Sequence, residues 1–331
     1  MTAVAPLLEA FFSDRLARQR EASPNTVAAY RDGLRLLLRF VNDRTGKPPS
    51  KLDFTDLDAP TIGAFLEHLE VERGNSVVTR NSRLAALRSF FSYAALSCPE
   101  HAGLIQRVLA IPEKRTDRAT VCFLTHAEVD ALLTSPDRST WIGRRDHALL
   151  VVAAQTGLRV SELTGLRIQD AHLETGAHVW CRGKGRKDRC TPLTARTISV
   201  LTAWMRERRG VPDDPLFPSR GRGHGPLSRD SVEYLVHKHA VAAHERCSSL
   251  RSKTVTPHTL RHSAAMALLQ SGVDVATIAL WLGHEGLEST NVYIHADLAA
   301  KERAIARTAP PDTKPGRYRP TDELLAFLDA L

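Results

Sequence analysis

The sequence predicts a mainly α-helical protein of two domains: an N-terminal helical bundle, then a larger, mostly helical domain with a small β-sheet or hairpin. Two patterns carry this. Apolar residues return every three or four positions along most of the chain, the period of an amphipathic helix. Over residues 177–193, AHVWCRGKGRKDRCTPL, the period changes, and two short strand-like runs enclose Gly183 and Gly185. A chain of 331 residues is also longer than one small core accommodates, so two domains are the default.

The first domain spans 1–112. PLLEAFFSDRLARQR sets Leu7, Leu8, Phe11, Phe12 and Leu16 on one helical stripe. Ser23 caps the next helix and Pro24 suits its first turn, with Val27, Tyr30, Leu34, Leu37 and Phe40 turned inward. DLDAPTIGAFLEHLEVE and SVVTRNSRLAALRSFFSYAAL repeat the pattern through Ile62, Phe65 and Leu69, then Leu84, Leu87 and Phe91. Four helices joined by short turns make a small bundle. Residues 113–120 are polar and weakly patterned, and read as a linker. Its Lys114, Arg115 and Arg118 are either phosphate-backbone contacts or ordinary surface charge.

The second domain spans 121–310. Thr125 and Glu128 form a capping box ahead of one helix, and the apolar RRDHALLVVAAQTG ends at Gly157. After the hairpin, helices resume at TARTISVLTAWMRERR and SRDSVEYLVHKHAVAAHE, then at TLRHSAAMALLQSG and DVATIALWLG. FPSRGRGHGPLS, residues 217–228, reads as a flexible surface loop. A tail over 311–331 is rich in breakers until TDELLAFLDAL. There Thr321 caps a short helix with Leu324, Leu325, Phe327, Leu328 and Leu331 on one face. So short a helix is marginal alone in water, so it is expected to dock, on its own domain or on a neighbouring protomer.

Composition narrows the function classes. Hydrophobic residues at 43% and charged ones at 25% are ordinary for a globular chain. A formal net charge of +8 favours a polyanionic partner without proving one. The five cysteines, Cys98, Cys122, Cys181, Cys190 and Cys247, include no Cys-x-x-Cys pair. They read as unpaired thiols of a protein in a reducing cytoplasm. The N-terminus lacks the apolar core of a signal peptide, and no run approaches the roughly 20 apolar residues of a membrane span.

Four fragments make chemical sense only together. In TPHTLRH, Thr256 caps a helix and Pro257 opens it, which sets His258 in the first turn and Arg261 on the same face. Helix N-terminal amides favour an anion, a guanidinium adds two parallel donors for phosphate oxygens, and an imidazole adds a donor or proton carrier. Taken singly, both are as readily a capping and a surface residue. In TGLRVSEL, Arg159 falls between two buried elements and must be paired or face a polar cleft, with Glu162 as its anchor. A purely structural Arg–Glu pair fits that fragment alone equally well.

In RGKGRKDR, Lys184 sits on the expected turn, able to reach a phosphate or to protonate a departing alkoxide. Arg182, Arg186 and Lys187 are its near rivals. In WLGHEGLESTNVYIH, His284 follows Gly283, and Tyr293 lies in an apolar turn held by Trp281, Leu282, Val292 and Ile294. A lone tyrosine in such company is ordinarily a core residue. Its phenol, with a pKa of about 10, also attacks poorly near neutrality without a proton acceptor and surrounding positive charge. The assembled set supplies both. Neither a converging carboxylate cluster for two metals nor a G-x-x-x-x-G-K-[ST] loop accompanies it, so no metal and no cofactor is expected.

These fragments resemble, in order and spacing, the tyrosine recombinase or phage integrase family of site-specific DNA recombinases. The resemblance covers a helical core-binding domain and a catalytic domain. It assigns Arg159 and Arg261 to gripping the phosphate and His258 and His284 to completing that cage, with His258 a candidate to accept the tyrosine's proton; Lys184 protonates the leaving 5′-hydroxyl, Glu162 supports and Tyr293 attacks. It implies double-stranded DNA with specific recombination sites as partner, and no membrane. It implies a homo-oligomer on DNA, a tetramer across two duplexes, or a hetero-assembly with related recombinases. VYIHAD departs from the family's usual polar-residue-then-Tyr-Thr-His ending and points to a transposon-associated branch. Integration, excision or transposition of a mobile element is therefore the expected role, with chromosome or plasmid dimer resolution as the alternative. A type IB topoisomerase would relax supercoils without a defined site, and a non-catalytic DNA-binding protein of the same fold would form no covalent adduct.

Overall fold

The computed structural model describes residues 3–116, 121–183, 188–220, 225–284, 286 and 288–296, the last stretch by its backbone alone at 288 and 294–296. The chain divides into two compact units, Met1–Ala119 and Thr120–Leu331. Each has an apolar core of its own.

In the first unit, helix α1 (Val4–Ala10) runs directly into a π-helical stretch, Phe11–Gln19, whose Phe11 and Leu16 are buried. Helix α2 (Pro24–Thr45) starts where the Ser23 hydroxyl accepts the Thr26 N–H, and stops at Gly46 in the left-handed region. Asp58 and Ser76 cap α3 (Ala59–Val71) and α4 (Val77–Ser97) in the same way. Phe11, Phe54, Phe90 and Phe91 meet at ring-centroid distances of 5.3–6.2 Å and fill the centre.

Two findings differ from expectation here. A fifth helix, α5 (Ala102–Leu109), buries Ile105 and Val108 in this core. Eight residues carry too few turns for a periodicity to stand out, and packing decides. The stretch read as linker also begins fastened to this unit. Asn81 donates to the Lys114 carbonyl at 2.8 Å and accepts its N–H at 3.2 Å, and Arg88 reaches the carbonyl of Ile111.

The second unit opens with α6 (His126–Leu133), whose capping box pairs Thr125 with Glu128 as the sequence predicts. Helix α7 (Trp141–Thr156) is its most enclosed element, with Leu149, Leu150 and Val152 fully buried. It ends at Gly157, φ +63°, where an added Cβ would stand 2.8 Å from Leu282 Cδ2. Helix α8 (Val160–Gly165) follows. Then β1 (Ala171–His172), β2 (His178–Arg182) and β3 (Asp188–Pro192) form an antiparallel sheet in that order, Arg182 opposite Asp188. Residues 184–187, between β2 and β3, where a turn is expected, lie outside the described residues.

Helices α9 (Ala195–Arg208), α10 (Arg229–Ala243), α11 (Pro257–Gln270), α12 (Val275–Leu282) and α13 (Glu288–Ala296) complete the unit. The expected surface loop over 217–228 is anchored at both ends: Phe217 and Leu227 are buried, and Ser219 donates to the Gly225 carbonyl at 2.7 Å. Tyr293 lies on a helix rather than in a turn. Thr290, Val292 and Ile294 are β-branched and weaken the helical signal, but α13 packs on α11 and α12. Among the described residues, no helix is long and apolar enough to cross a membrane.

Candidate active site

The site is built on two helix C-termini in the second unit. Beyond the left-handed Gly157, Arg159 becomes the N-cap of α8. Its N–H donates to Glu162 Oε2 at 2.8 Å and its Nη1 to Glu162 Oε1 at 3.0 Å. Its Nη2 donates to the Gly283 carbonyl at 2.9 Å, at the end of α12. Arg261 rises from α11, which Thr256 caps and Pro257 opens as predicted. Its Nη1 donates to the Gly157 carbonyl and its Nη2 to the Leu282 carbonyl, both at 2.7 Å. Two guanidiniums thus hang on carbonyls at the negative ends of α7 and α12, where a cation is favoured. Leu282 and Gly283 are consecutive, so the two arginines are held side by side.

A third arginine, Arg189 on β3, joins them without standing out in the sequence. Its Nη1 and Nη2 take both oxygens of Glu162 at 2.9 and 2.6 Å, a bidentate pair. A Cβ on Gly283 would collide with this guanidinium. Glu162 is buried, which by itself would raise its pKa. The hydrogen bonds and charge of Arg189 and the Arg159 N–H outweigh that and hold the carboxyl below the usual glutamate range. Burial, then the charges of Arg159 and Arg189, lower Arg261 to about 10, which leaves it cationic at neutral pH. Two guanidiniums therefore bond one carboxylate with a third within electrostatic reach of it, and the group carries excess positive charge.

The histidines and the tyrosine meet on the same face. His284 Nδ1 lies 2.7 Å from Thr290 Oγ1, and its ring stacks near Tyr293 at 6.4 Å between centroids. Burial first, then Arg261, Arg159 and Arg189, depress His284 to about 4, so its imidazole is neutral at pH 7. Tyr293 is 2% exposed among Ala265, Met266, Ile278 and Leu282. Burial raises its phenol pKa against the pull of Arg261 and Arg159. Its hydroxyl is 3.0 Å from His262 Nδ1.

That contact differs from the expected one. His258 was the candidate to take the tyrosine's proton, but it lies exposed in the first turn of α11. The hydroxyl is bonded by His262, one turn further on. The signal was available, since positions four apart share a helix face. Likewise, a period-two reading of β3 puts Arg189 on the inward face with the buried Thr191.

Lys184, Arg186, Lys187 and Arg118 lie outside the described residues. Arg182 is exposed, 3.6 Å from Asp188, with its guanidinium 5.8 Å from the Trp180 ring. In the first unit, Arg115 is exposed and Lys114 is paired with Glu70 at 2.8 Å. Among the described residues, no grouping of three or more His, Cys, Asp or Glu is placed to hold a metal ion. The cysteines are free thiols.

A helical unit followed by a second unit with arginines gathered over a buried tyrosine defines a class of DNA strand-transfer protein. Comparison with known proteins places the chain in it. Residues 122–299 match the phage integrase family, and residues 8–97 match the phage integrase N-terminal SAM-like domain. The chain belongs to the phage integrase family of tyrosine recombinases. It is 56% identical over 328 residues to the Sinorhizobium fredii protein named as integrase/recombinase y4rC, covering 99% of this chain and 98% of the relative. It is 32% identical to the tyrosine recombinase XerD of Pseudomonas aeruginosa, covering 92% and 97%. Among solved structures, the XerH site-specific recombinase in a post-cleavage complex with palindromic difH substrate superposes with a TM-score of 0.69 at 25% identity, over 87% of this chain and 81% of that one. The Tn1549 transposon integrase with circular intermediate DNA shares the fold, with a TM-score of 0.67 at 17% identity over 93% and 100%.

Proposed function

We propose that the protein is a site-specific DNA recombinase that cleaves one strand through Tyr293 and passes it to a new partner. The observation that carries this is the charge imbalance around the tyrosine: Arg159, Arg189 and Arg261 against Glu162. A phosphodiester is an anion, and attack by a phenol places further negative charge on its non-bridging oxygens. Preorganised cations act most strongly on that developing charge.

In the cleavage step, a bond forms between Tyr293 Oη and phosphorus and the bond from phosphorus to the 5′-oxygen breaks. Arg159 and Arg261 grip the non-bridging oxygens. His284, neutral and steadied by Thr290, offers a ring N–H, and His258 reaches the phosphate from the exposed first turn of α11. Lys184 protonates the departing 5′-oxygen. The 3′-phosphotyrosine ester conserves the energy of the broken bond, so the 5′-hydroxyl of another strand can reverse the step without an external energy source. Strand exchange then calls for four protomers on two duplexes, or for a mixed assembly with related recombinases. The likeness to an integrase/recombinase over nearly the whole chain and the VYIHAD ending favour movement of a mobile element over dimer resolution.

The test uses a nicked suicide duplex carrying the element's end. The protein should form an SDS-resistant adduct that maps to Tyr293. Tyr293→Phe should bind the same DNA and form none. Arg261→Ala should slow adduct formation by about 100-fold or more while binding falls far less, since other phosphate contacts remain. An adduct on a different tyrosine, or equal losses of binding and cleavage in Arg261→Ala, would overturn these assignments.

A further inference from the structure

We propose that His262 is the residue that takes the phenolic proton of Tyr293 during cleavage and returns it during rejoining. This rests on the reading of Tyr293 as the nucleophile. The geometry is direct: His262 Nδ1 lies 3.0 Å from Tyr293 Oη, with ring centroids 5.6 Å apart and ring planes inclined by 60°. The distance is within reach for proton transfer. With the ring proton on Nε2, Nδ1 is an acceptor aimed at the phenol.

The surroundings suit that task. Burial raises the phenol pKa, so Tyr293 enters the reaction with its proton in place. Burial, then the neighbouring His258 and Arg261, lower His262 below its ordinary range, so it is neutral and ready to accept at pH 7. The groups bearing on it are His258 and Arg261 on its own helix, His284 beyond α12 and Tyr293 on α13. Burial and Arg261 disfavour a lasting imidazolium. The proton is therefore held only while the phosphorane's negative charge is close, which suits a step that must run backward as readily as forward.

The bookkeeping of atoms closes. The proton leaves Tyr293 Oη for His262 Nδ1 as the bond from Oη to phosphorus forms. A second proton, from Lys184, meets the departing 5′-oxygen. In rejoining, the 5′-oxygen bonds to phosphorus as the bond from phosphorus to Oη breaks, the hydroxyl's proton returns to Lys184, and His262 gives its proton back to the leaving phenolate. His258 is thereby free to hydrogen-bond the phosphate.

The experiment measures single-turnover adduct formation on the suicide duplex across pH. His262→Asn keeps a hydrogen-bonding group of similar reach but cannot carry a proton, and a thermal melt confirms folding. We expect cleavage about 100-fold slower or worse and binding unchanged, with wild type losing rate on the acid side below neutral pH and His262→Asn lacking that limb. Replacing Tyr293 with a fluorinated tyrosine, whose phenol is already ionised at the assay pH, should restore most of the His262→Asn rate. His262→Ala should behave alike, since neither variant can accept a proton. A wild-type rate and pH profile in His262→Asn would overturn the proposal, and so would a slow variant that the fluorinated tyrosine fails to rescue. If wild type itself forms no adduct on Tyr293, the proposed function fails instead, so the two failures are distinct.

Discussion

Glu162 shows how much of this site is decided by one buried side chain. Its carboxylate accepts from Arg159 through Oε1 and from Arg189 through both oxygens, with the Arg159 N–H on Oε2 as well. Removing Arg189 would leave a buried charge short of partners, and breaking such a pair costs about 3 kcal/mol or more. Arg189→Ala should therefore lower unfolding stability in urea at pH 7 by about that much, whereas truncating the exposed Arg115 should change it by less than about 0.5 kcal/mol. The acid dependence follows in sign. The folded carboxyl sits below its unfolded value, so its contribution is complete above the usual glutamate range and fades as pH falls through the folded pKa. Arg189→Ala should shrink that acid-side slope, and an unchanged slope would mean Arg159 alone holds Glu162. At this scale the sequence exposed Arg159, Glu162, Arg261, His284 and Tyr293 because each falls in a short, ordered fragment. Arg189 and His262 escaped because their roles arise from strand parity and helix phase, which bring them to partners 27 and 31 positions away.

The elements show why two glycines matter more than their neighbours. Gly157 and Gly283 each end a helix in the left-handed region, and each lends its carbonyl to an arginine of the site. Gly157→Ala would combine backbone strain with a Cβ 2.8 Å from Leu282 Cδ2 and 3.2 Å from Ala264 Cβ. Gly46→Ala would meet only the strain, since nothing lies within 4 Å there. Positive-φ strain of this kind costs about 1 kcal/mol, and overpacking adds about 1–3 kcal/mol. Thermal melts should then show a clearly larger fall for Gly157→Ala than for Gly46→Ala. Equal falls would mean that the end of α7 yields without loss. The caps at Ser23, Thr125 and Thr256 and the stop at Gly157 were legible because cap chemistry is local. Helices α5 and α13 were not: one is short, and the other is rich in β-branched residues and held by its packing against α11 and α12.

At the scale of the whole molecule, two cores of different character share one chain. The first is aromatic, centred on Phe11, Phe54, Phe90 and Phe91, and the second is aliphatic around Leu149, Leu150 and Val152. Both units carry more Lys and Arg than Asp and Glu, so each can contribute phosphate contacts and a share of the salt dependence of DNA binding. The division into two units was visible from chain length and from the polar break near residue 113. The anchoring of Lys114 to Asn81 and Glu70 was not, because it depends on side chains 33 and 44 positions distant. Separate cores predict separate unfolding, since a single cooperative transition is expected only where one core ties the chain together. Leu87→Ala opens a cavity in the first core and Leu149→Ala in the second, each costing about 2–5 kcal/mol. In guanidinium denaturation of the full chain, Leu87→Ala should move one transition and Leu149→Ala the other. DNA that binds the folded form of both should raise both by mass action. If either substitution shifted the two transitions together in the absence of DNA, the units would be one cooperative body rather than two.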